Sequence, residues 1–242
     1  MLHKTVSKGP YDAPEMEYIC PSACLKTSEL NTQGLMPVRT LYFLLLMVPS
    51  IAFGGLGDDE AFNFRNGDMV FQESKSNQSR AIAAATGSRY THMGLVVMRG
   101  ESPYVLEAVN PVRMRPFSQW RKRGVDGHVV VKRLKDNEAI VSKTNRARMR
   151  AIGRKHLGKA YDLTFSWDQK RMYCSELVYR IYLDGAGIAL GQVQRFGDMN
   201  LKHPLVKALA RKRLKQDLDP MEPIVTPVSI LEDSKLATVA TF

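Results

Sequence analysis

The sequence predicts an α+β protein built on a mostly antiparallel sheet packed against helices. Two patterns predict it: short β-rich runs dominate the first half of the folded region, and two helical segments follow them. Strand–helix–strand alternation is scarce, which argues against a parallel α/β sheet. A third observation sets the frame. Apolar residues make up 44% and charged residues 24% of 242 residues, a balance that supports one sizeable packed core and excludes wholesale disorder.

Taken in chain order, "GDMVFQ" (67–72) is a short apolar strand behind a Gly-Asp turn. "RAIAAATGS" (80–88) reads as a small helix stopped by Gly87. "THMGLVVM" (91–98) and "PYVLEAV" (103–109) are β-rich runs joined as a hairpin through "RGES". "GHVVVKRL" (127–134) is a further strand. "KTNRARMRAIGRKHLG" reads as a helix closed by Gly158. "YCSELVYRIYLDGAG" reads as a second helix, with Leu177, Val178, Ile181 and Tyr182 along one stripe. The tail from "DLDPMEPIVTPV" onward, with its three prolines, reads as loop plus a short strand.

Upstream, residues 36–54, "MPVRTLYFLLLMVPSIAFG", carry the layout of a secretory signal: a basic start, an apolar run from Leu41 to Val48, and small residues near Ala52 and Gly54. That run is shorter than the roughly 20 apolar residues a membrane span needs. Residues 1–35 read as an upstream extension, with Met36 the expected initiator; a retained extension would instead turn the segment into an anchor. The expected organisation is an upstream extension at 1–35, a signal at 36–54, and one folded domain over 58–242. The expected location is exported, periplasmic or extracellular.

Removing residues 1–54 takes away Cys20 and Cys24 and leaves Cys174 alone, so no internal disulfide is expected. It also removes four basic and four acidic residues, so the net charge stays at +11. Basic residues concentrate at 113–124, 143–155 and 211–215. These read first as solvated faces and loops; the alternative is association with an anionic envelope surface. They lack interleaved aromatics and recognition motifs, so no specific nucleic acid partner is expected.

The chemistry centres on Cys174. At the head of a helix, free backbone N–H groups and the dipole favour a thiolate, and the same amides can receive an oxyanion. A thiolate wants an imidazole partner and a third group to orient it. His156 falls on a basic helix and reads as a surface residue; His203 reads as loop, and His128 begins a strand with no evident carboxylate. His92 differs. With Met98 facing Glu101, or Val97 facing Ser102, the hairpin register sets His92 directly opposite Glu107. Directly opposed residues share a face with Cβ atoms about 5 Å apart. An exposed His–Glu pair on the sheet is the competing reading. No ligand spacing for a metal is present, and no cofactor is expected.

The motifs "NGDMVFQ", "THMGLVV", "VLEAV", "AYDLTF" and "YCSELVYRIY", in that order, resemble the circularly permuted papain-like amidases of the NlpC superfamily, the YiiX/YaeF group. The likeness runs from about Phe64 to "IVTPVSILEDSKL". It implies a permuted papain-like core, with the histidine strand ahead of the nucleophile helix. It also implies a cysteine peptidase or amidase with Cys174 as nucleophile, His92 as base and Glu107 as third residue. Tyr161 matches an aromatic that either walls the substrate pocket or packs in the core. Asp68, Ser175 and Glu176 read as turn and supporting residues. The expected substrate is a peptide or other amide-containing molecule, a cell-wall peptide among the candidates; lipid acyl groups and a non-catalytic basic binding role are the alternatives.

Overall fold

The computed structural model describes residues 62–136, 141–213 and 219–242. The signal-like segment and the extension before it lie outside these residues. Six strands form one sheet: β1 (Met69–Gln72), β2 (His92–Arg99), β3 (Ser102–Glu107), β4 (Arg113–Pro116), β5 (Val130–Leu134) and β8 (Leu236–Thr241). Their spatial order is β4-β3-β2-β1-β5-β8, and every pairing is antiparallel. A second, two-stranded sheet pairs β6 (Val193–Arg195) with β7 (Pro223–Val225).

The helices are α1 (Asn77–Thr86), α2 (Phe117–Arg121), α3 (Lys143–His156), α4 (Cys174–Ala186), α5 (Pro204–Arg213) and α6 (Pro227–Leu231). The α+β class holds. The tail is richer than expected, since β7, α6 and β8 occupy what reads as loop with one strand. Pro227 sits in the first turn of α6, where its missing N–H costs nothing, and Thr226 caps it by accepting from Ser229 N–H. Among the described residues, no helix is long and apolar enough to cross a membrane.

Alternation divides the sheet residues between two cores. Met69, Phe71, Met93, Leu95 and Leu106 face α4, where they meet Leu177, Val178 and Ile181. Val70, Val96, Val105 and Val131 face the other way and pack with Phe64, Phe117 and Trp120. Because both faces are covered, β1 is apolar without alternation until Gln72. The helix α4 is buried on nearly all sides. It approaches α3 closely because Gly185 has no side chain: a Cβ there would stand 2.8 Å from the Met149 Cα. Truncating Leu177 to alanine in this core should cost about 2–5 kcal/mol of stability, read as a shift in denaturant midpoint.

Three readings need correction. The small helix begins at Asn77 rather than 80, because Ser76 caps it by accepting from Ser79 N–H; its stop at Gly87, in the left-handed region at φ 70°, is as expected. His156 is buried against the core rather than on the surface. Burial and then the neighbouring Lys159 charge push its pKa down to about 4. The basic run at 113–124 is only in part a solvated face: it forms β4 and α2, Lys122 and Arg123 are exposed, and Arg115 turns inward to Glu107.

Candidate active site

The hairpin that carries the site is registered two residues away from expectation. Arg99 pairs with Ser102 and Leu95 with Leu106, so Gly100 and Glu101 form the turn, and Gly100 supplies the positive φ of 58°. Continuing the ladder puts Gly94, not His92, opposite Glu107. A slip of two preserves the face, so His92 and Glu107 remain on one side as diagonal neighbours, a distance long side chains can bridge. They do: His92 Nε2 and Glu107 Oε2 are 2.8 Å apart.

Gly94 makes the diagonal possible. A Cβ at 94 would stand 2.9 Å from the Leu106 carbonyl oxygen and collide with Val105. Gly94→Ala should therefore destabilise the protein by about 1–3 kcal/mol, read from denaturant melts, and disturb the His92–Glu107 contact.

Glu107 is fully buried, which overturns the exposed-pair reading. Its second oxygen accepts from Arg115 Nε at 3.1 Å, a residue from the next strand on the same face. Burial alone would raise the Glu107 pKa, but the His92 hydrogen bond and charge, with Arg115 behind them, pull it down to about 2. The other side of the His92 ring is backed by buried Trp120, 5.9 Å between ring centres and nearly parallel.

Cys174 arrives from the opposite side of the sheet. It is the first residue of α4, and its N-cap, Tyr173, offers no side-chain cap. The first-turn amides are thus left for other acceptors. The electrostatic surroundings of the sulfur are the His92 ring and the backbone at Met93 and Ser175. Since Nε2 faces Glu107, the nitrogen turned to the thiol is Nδ1. Burial would raise the thiol pKa, yet the His92 hydrogen bond and charge, then the two amides, bring it below its usual value. For His92, burial works downward and is overcome by the hydrogen bonds to Cys174 and Glu107, lifting its pKa to about 9. Both shifts favour the thiolate–imidazolium form of the pair.

Tyr161 stands at the head of the loop leading into the nucleophile. Its residue bridges to Met172, and its hydroxyl accepts from Gln78 Nε2 at 2.9 Å. Burial, with the neighbouring Cys174 charge, holds its pKa well above the ordinary value. The loop is cinched by buried Asp162, which accepts from Thr164 N–H at 2.9 Å, Thr164 Oγ1 at 2.6 Å and Ser166 Oγ at 3.1 Å. Asp68 does serve its turn, accepting from Arg65 N–H at 2.8 Å, and also holds Arg133 at 2.7 Å. Ser175 donates to the Val225 carbonyl at 2.8 Å and so ties α4 to β7.

The structure therefore brings Cys174, His92 and Glu107 together and sets Tyr161 beside them. Sequence reasoning missed Arg115 and Trp120. A usable signal existed for Arg115: "RMR" alternates, and its outer residues share the face of Glu107 once β4 is seen as a strand beside β3. Trp120 had none, because α2 is a single turn and a half.

Residues 63–240 match the model of the permuted papain-like amidase enzymes of the YaeF/YiiX, C92 family. The chain is 36% identical over 200 residues to the uncharacterized protein YiiX of Escherichia coli K12, covering 83% of this chain and 94% of that one. It also resembles a crystal structure described as the metalloprotein YiiX of Escherichia coli O157:H7, with TM-score 0.70 and 38% identity over 75% of this chain and 99% of that one. In the present chain, no three His, Cys, Asp or Glu side chains among the described residues group as metal ligands. Glu107 is already bound on both oxygens.

Proposed function

The chain belongs to the permuted papain-like amidases of the YaeF/YiiX family, a cysteine peptidase and amidase family, and on that footing we propose that it hydrolyses amide bonds through a Cys174–His92–Glu107 triad. The observation that carries this reading is the unbroken line from the Cys174 thiolate through His92 to Glu107 and Arg115.

The Cys174 thiolate attacks the amide carbonyl carbon. The negative charge that develops on oxygen is met by free N–H groups at the head of α4 and by the Tyr161 hydroxyl, whose proton is free because Gln78 is its donor. His92 delivers its proton to the leaving nitrogen as the C–N bond breaks, and an acyl thioester remains on Cys174. Neutral His92 then takes a proton from water, the hydroxide adds to the thioester carbonyl, and the thiolate leaves as the carboxylic acid forms. Glu107 keeps the ring turned and balances the imidazolium; Arg115 keeps Glu107 ionised.

The pH dependence tests the pair. The thiolate exists above the lowered Cys174 pKa, and imidazolium is lost as pH rises through about 9. The alkylation rate of Cys174 should accordingly hold a plateau that extends below the free-thiol pKa of about 8.5. Turnover should fall on the alkaline limb near 9. A His92→Ala variant whose labelling profile is unchanged from the wild type would sink the reading. Tyr161→Phe should lower kcat by about 10²-fold while leaving the alkylation rate near wild type, as expected for one lost oxyanion donor.

The site of action in this reading is outside the cytoplasm, supported by the signal-like segment 36–54. A mature N-terminus between Phe53 and Leu56, from an expressing cell, is the expected result; retention of Met1 removes this part. Cell-wall peptides and other anionic envelope amides are then within reach.

A further inference from the structure

A groove of about 310 Å³ runs between α3 and the sheet, along the half of β2 remote from His92. Its floor is Leu95, Val97, Leu106, Met114, Met149 and Leu157, all apolar. Its rim is cationic: Arg99 from β2, and Arg146, Arg150 and Arg154 from α3. Among the described residues no carboxylate lines it. The recesses near the nucleophile are different ones, an apolar pocket between α1 and α5 that reaches Cys174 and the open cleft that holds His92. The groove shares no lining residue with either. Tyr182, which lines the groove, is eight residues beyond Cys174 on α4. That is about 12 Å along the helix at about 1.5 Å per residue.

The rim asks for an anion. Arg146, Arg150 and Arg154 recur every four residues and so share one side of α3. Like charges at that spacing repel and weaken a helix, yet α3 carries six lysines and arginines over 14 residues and no carboxylate. An anion bound along this side removes the repulsion. Two rim cations are already posed. Arg146 Nε donates to the Val141 carbonyl at 2.8 Å, and Arg99 lies 4.6 Å from the Tyr104 ring centre. Arg150 and Arg154 are exposed, one helical turn apart, and their planar forks suit a phosphate or carboxylate.

The floor asks for hydrocarbon. A peptide laid on it would leave amides unpaired, since these side chains offer nothing but thioether sulfur. An aliphatic chain loses nothing there, and Met114 and Met149 are flexible enough to mould to it. The stretch of α3 from Arg146 to Leu157 spans about 16 Å, comparable with an extended dodecyl chain. The volume falls at the lower end of small-ligand clefts, roughly 300–1,000 Å³.

We propose that this groove is a second binding site, which takes one single-chain anionic lipid. The tail lies on the apolar floor, and the phosphate or carboxylate head sits between Arg150 and Arg154. The site does not touch the nucleophile and takes no part in the amide chemistry. Its occupancy is independent of Cys174, so this inference stands or falls apart from the hydrolase reading.

The full chain is titrated calorimetrically with dodecyl phosphate, kept below its micelle-forming concentration. One molecule per chain should bind, at least tenfold tighter than inorganic phosphate or dodecanol, which are the head and the tail alone. Arg150→Glu with Arg154→Glu, both at exposed positions, should weaken binding at least tenfold without unfolding the chain. Arg150→Lys with Arg154→Lys should keep part of it. Val97→Trp, which fills the floor, should abolish it; should that variant fail to fold, the charge-reversed chain alone decides. Wild-type affinity in the charge-reversed chain, or no binding by the wild type, overturns the site. Blocking Cys174 with iodoacetamide should leave binding unchanged. Loss of binding on blocking moves the ligand to the nucleophile's own pocket and overturns the inference. Tighter binding of decaglutamate than of dodecyl phosphate overturns the lipid in favour of an acidic peptide. A dimer that the charge reversals dissociate overturns it in favour of a second copy of this chain.

Discussion

Cys174→Ala is expected to lower kcat for amide hydrolysis by on the order of 10⁴–10⁶, to the level left by binding alone. Cys174→Ser should do nearly the same, because a hydroxyl at this site does not ionise near neutral pH. Neither variant should unfold the protein, since the thiol is small and sits at a helix end rather than in the middle of the core. The informative readout is His92. Its pKa of about 9 owes much to the sulfur, so it should fall when the thiolate is gone, measured by imidazole proton shifts across pH. A variant that loses activity while His92 titrates as before would mean that the two residues are neighbours without being partners.

The second large effect lies at Glu107. Glu107→Ala leaves the Arg115 guanidinium and the His92 imidazolium without their shared carboxylate in a buried setting. Breaking a buried ion pair from one side costs about 3–5 kcal/mol, and loss of the orienting group costs about 10²–10⁴ in kcat. Glu107→Gln separates the two losses. It keeps shape and volume but has one acceptor oxygen for two donors, so either His92 or Arg115 goes without. The sign of the pH effect follows from the depressed Glu107 pKa. Its contribution to stability is present in full above the ordinary carboxyl value of about 4.5 and is lost as pH falls through about 2. Wild-type stability should therefore drop across that acid window, and Glu107→Gln should lack this part of the drop. Identical acid profiles for the two chains would show that Glu107 is not held ionised by its neighbours.

Much of the site was readable because its logic is local. A cysteine at the start of an amphipathic helix, with Leu177, Val178, Ile181 and Tyr182 on its buried face, announces both the helix and the exposed amides at its head. A histidine and a glutamate on consecutive strands of one hairpin share a face whenever the register is even-numbered relative to the true one. The two-residue error in that register changed the partner of Glu107 from His92 to Gly94 and kept the chemistry. An error of one would have separated them. What failed was reading charge as exposure. Arg115 lies in a run that looks solvated, yet it is only partly exposed and turned to Glu107, and His156, among Arg154, Lys155 and Lys159, is buried against the core.

Sequence alone determined the fold class, the helix that carries Cys174, the hairpin that carries His92 and Glu107, and the shared face that lets those two meet. These follow from periodicity and turn chemistry over a few residues. Tertiary structure alone decided that Glu107 is buried and held by Arg115, that Trp120 backs the imidazole, and that an apolar pocket reaches Cys174. Each of those depends on surfaces contributed by separate elements, such as α1 with the distant α5, or β4 folded back on β3. The free energy of bringing such segments together comes from the burial of both sheet faces, which no local pattern records.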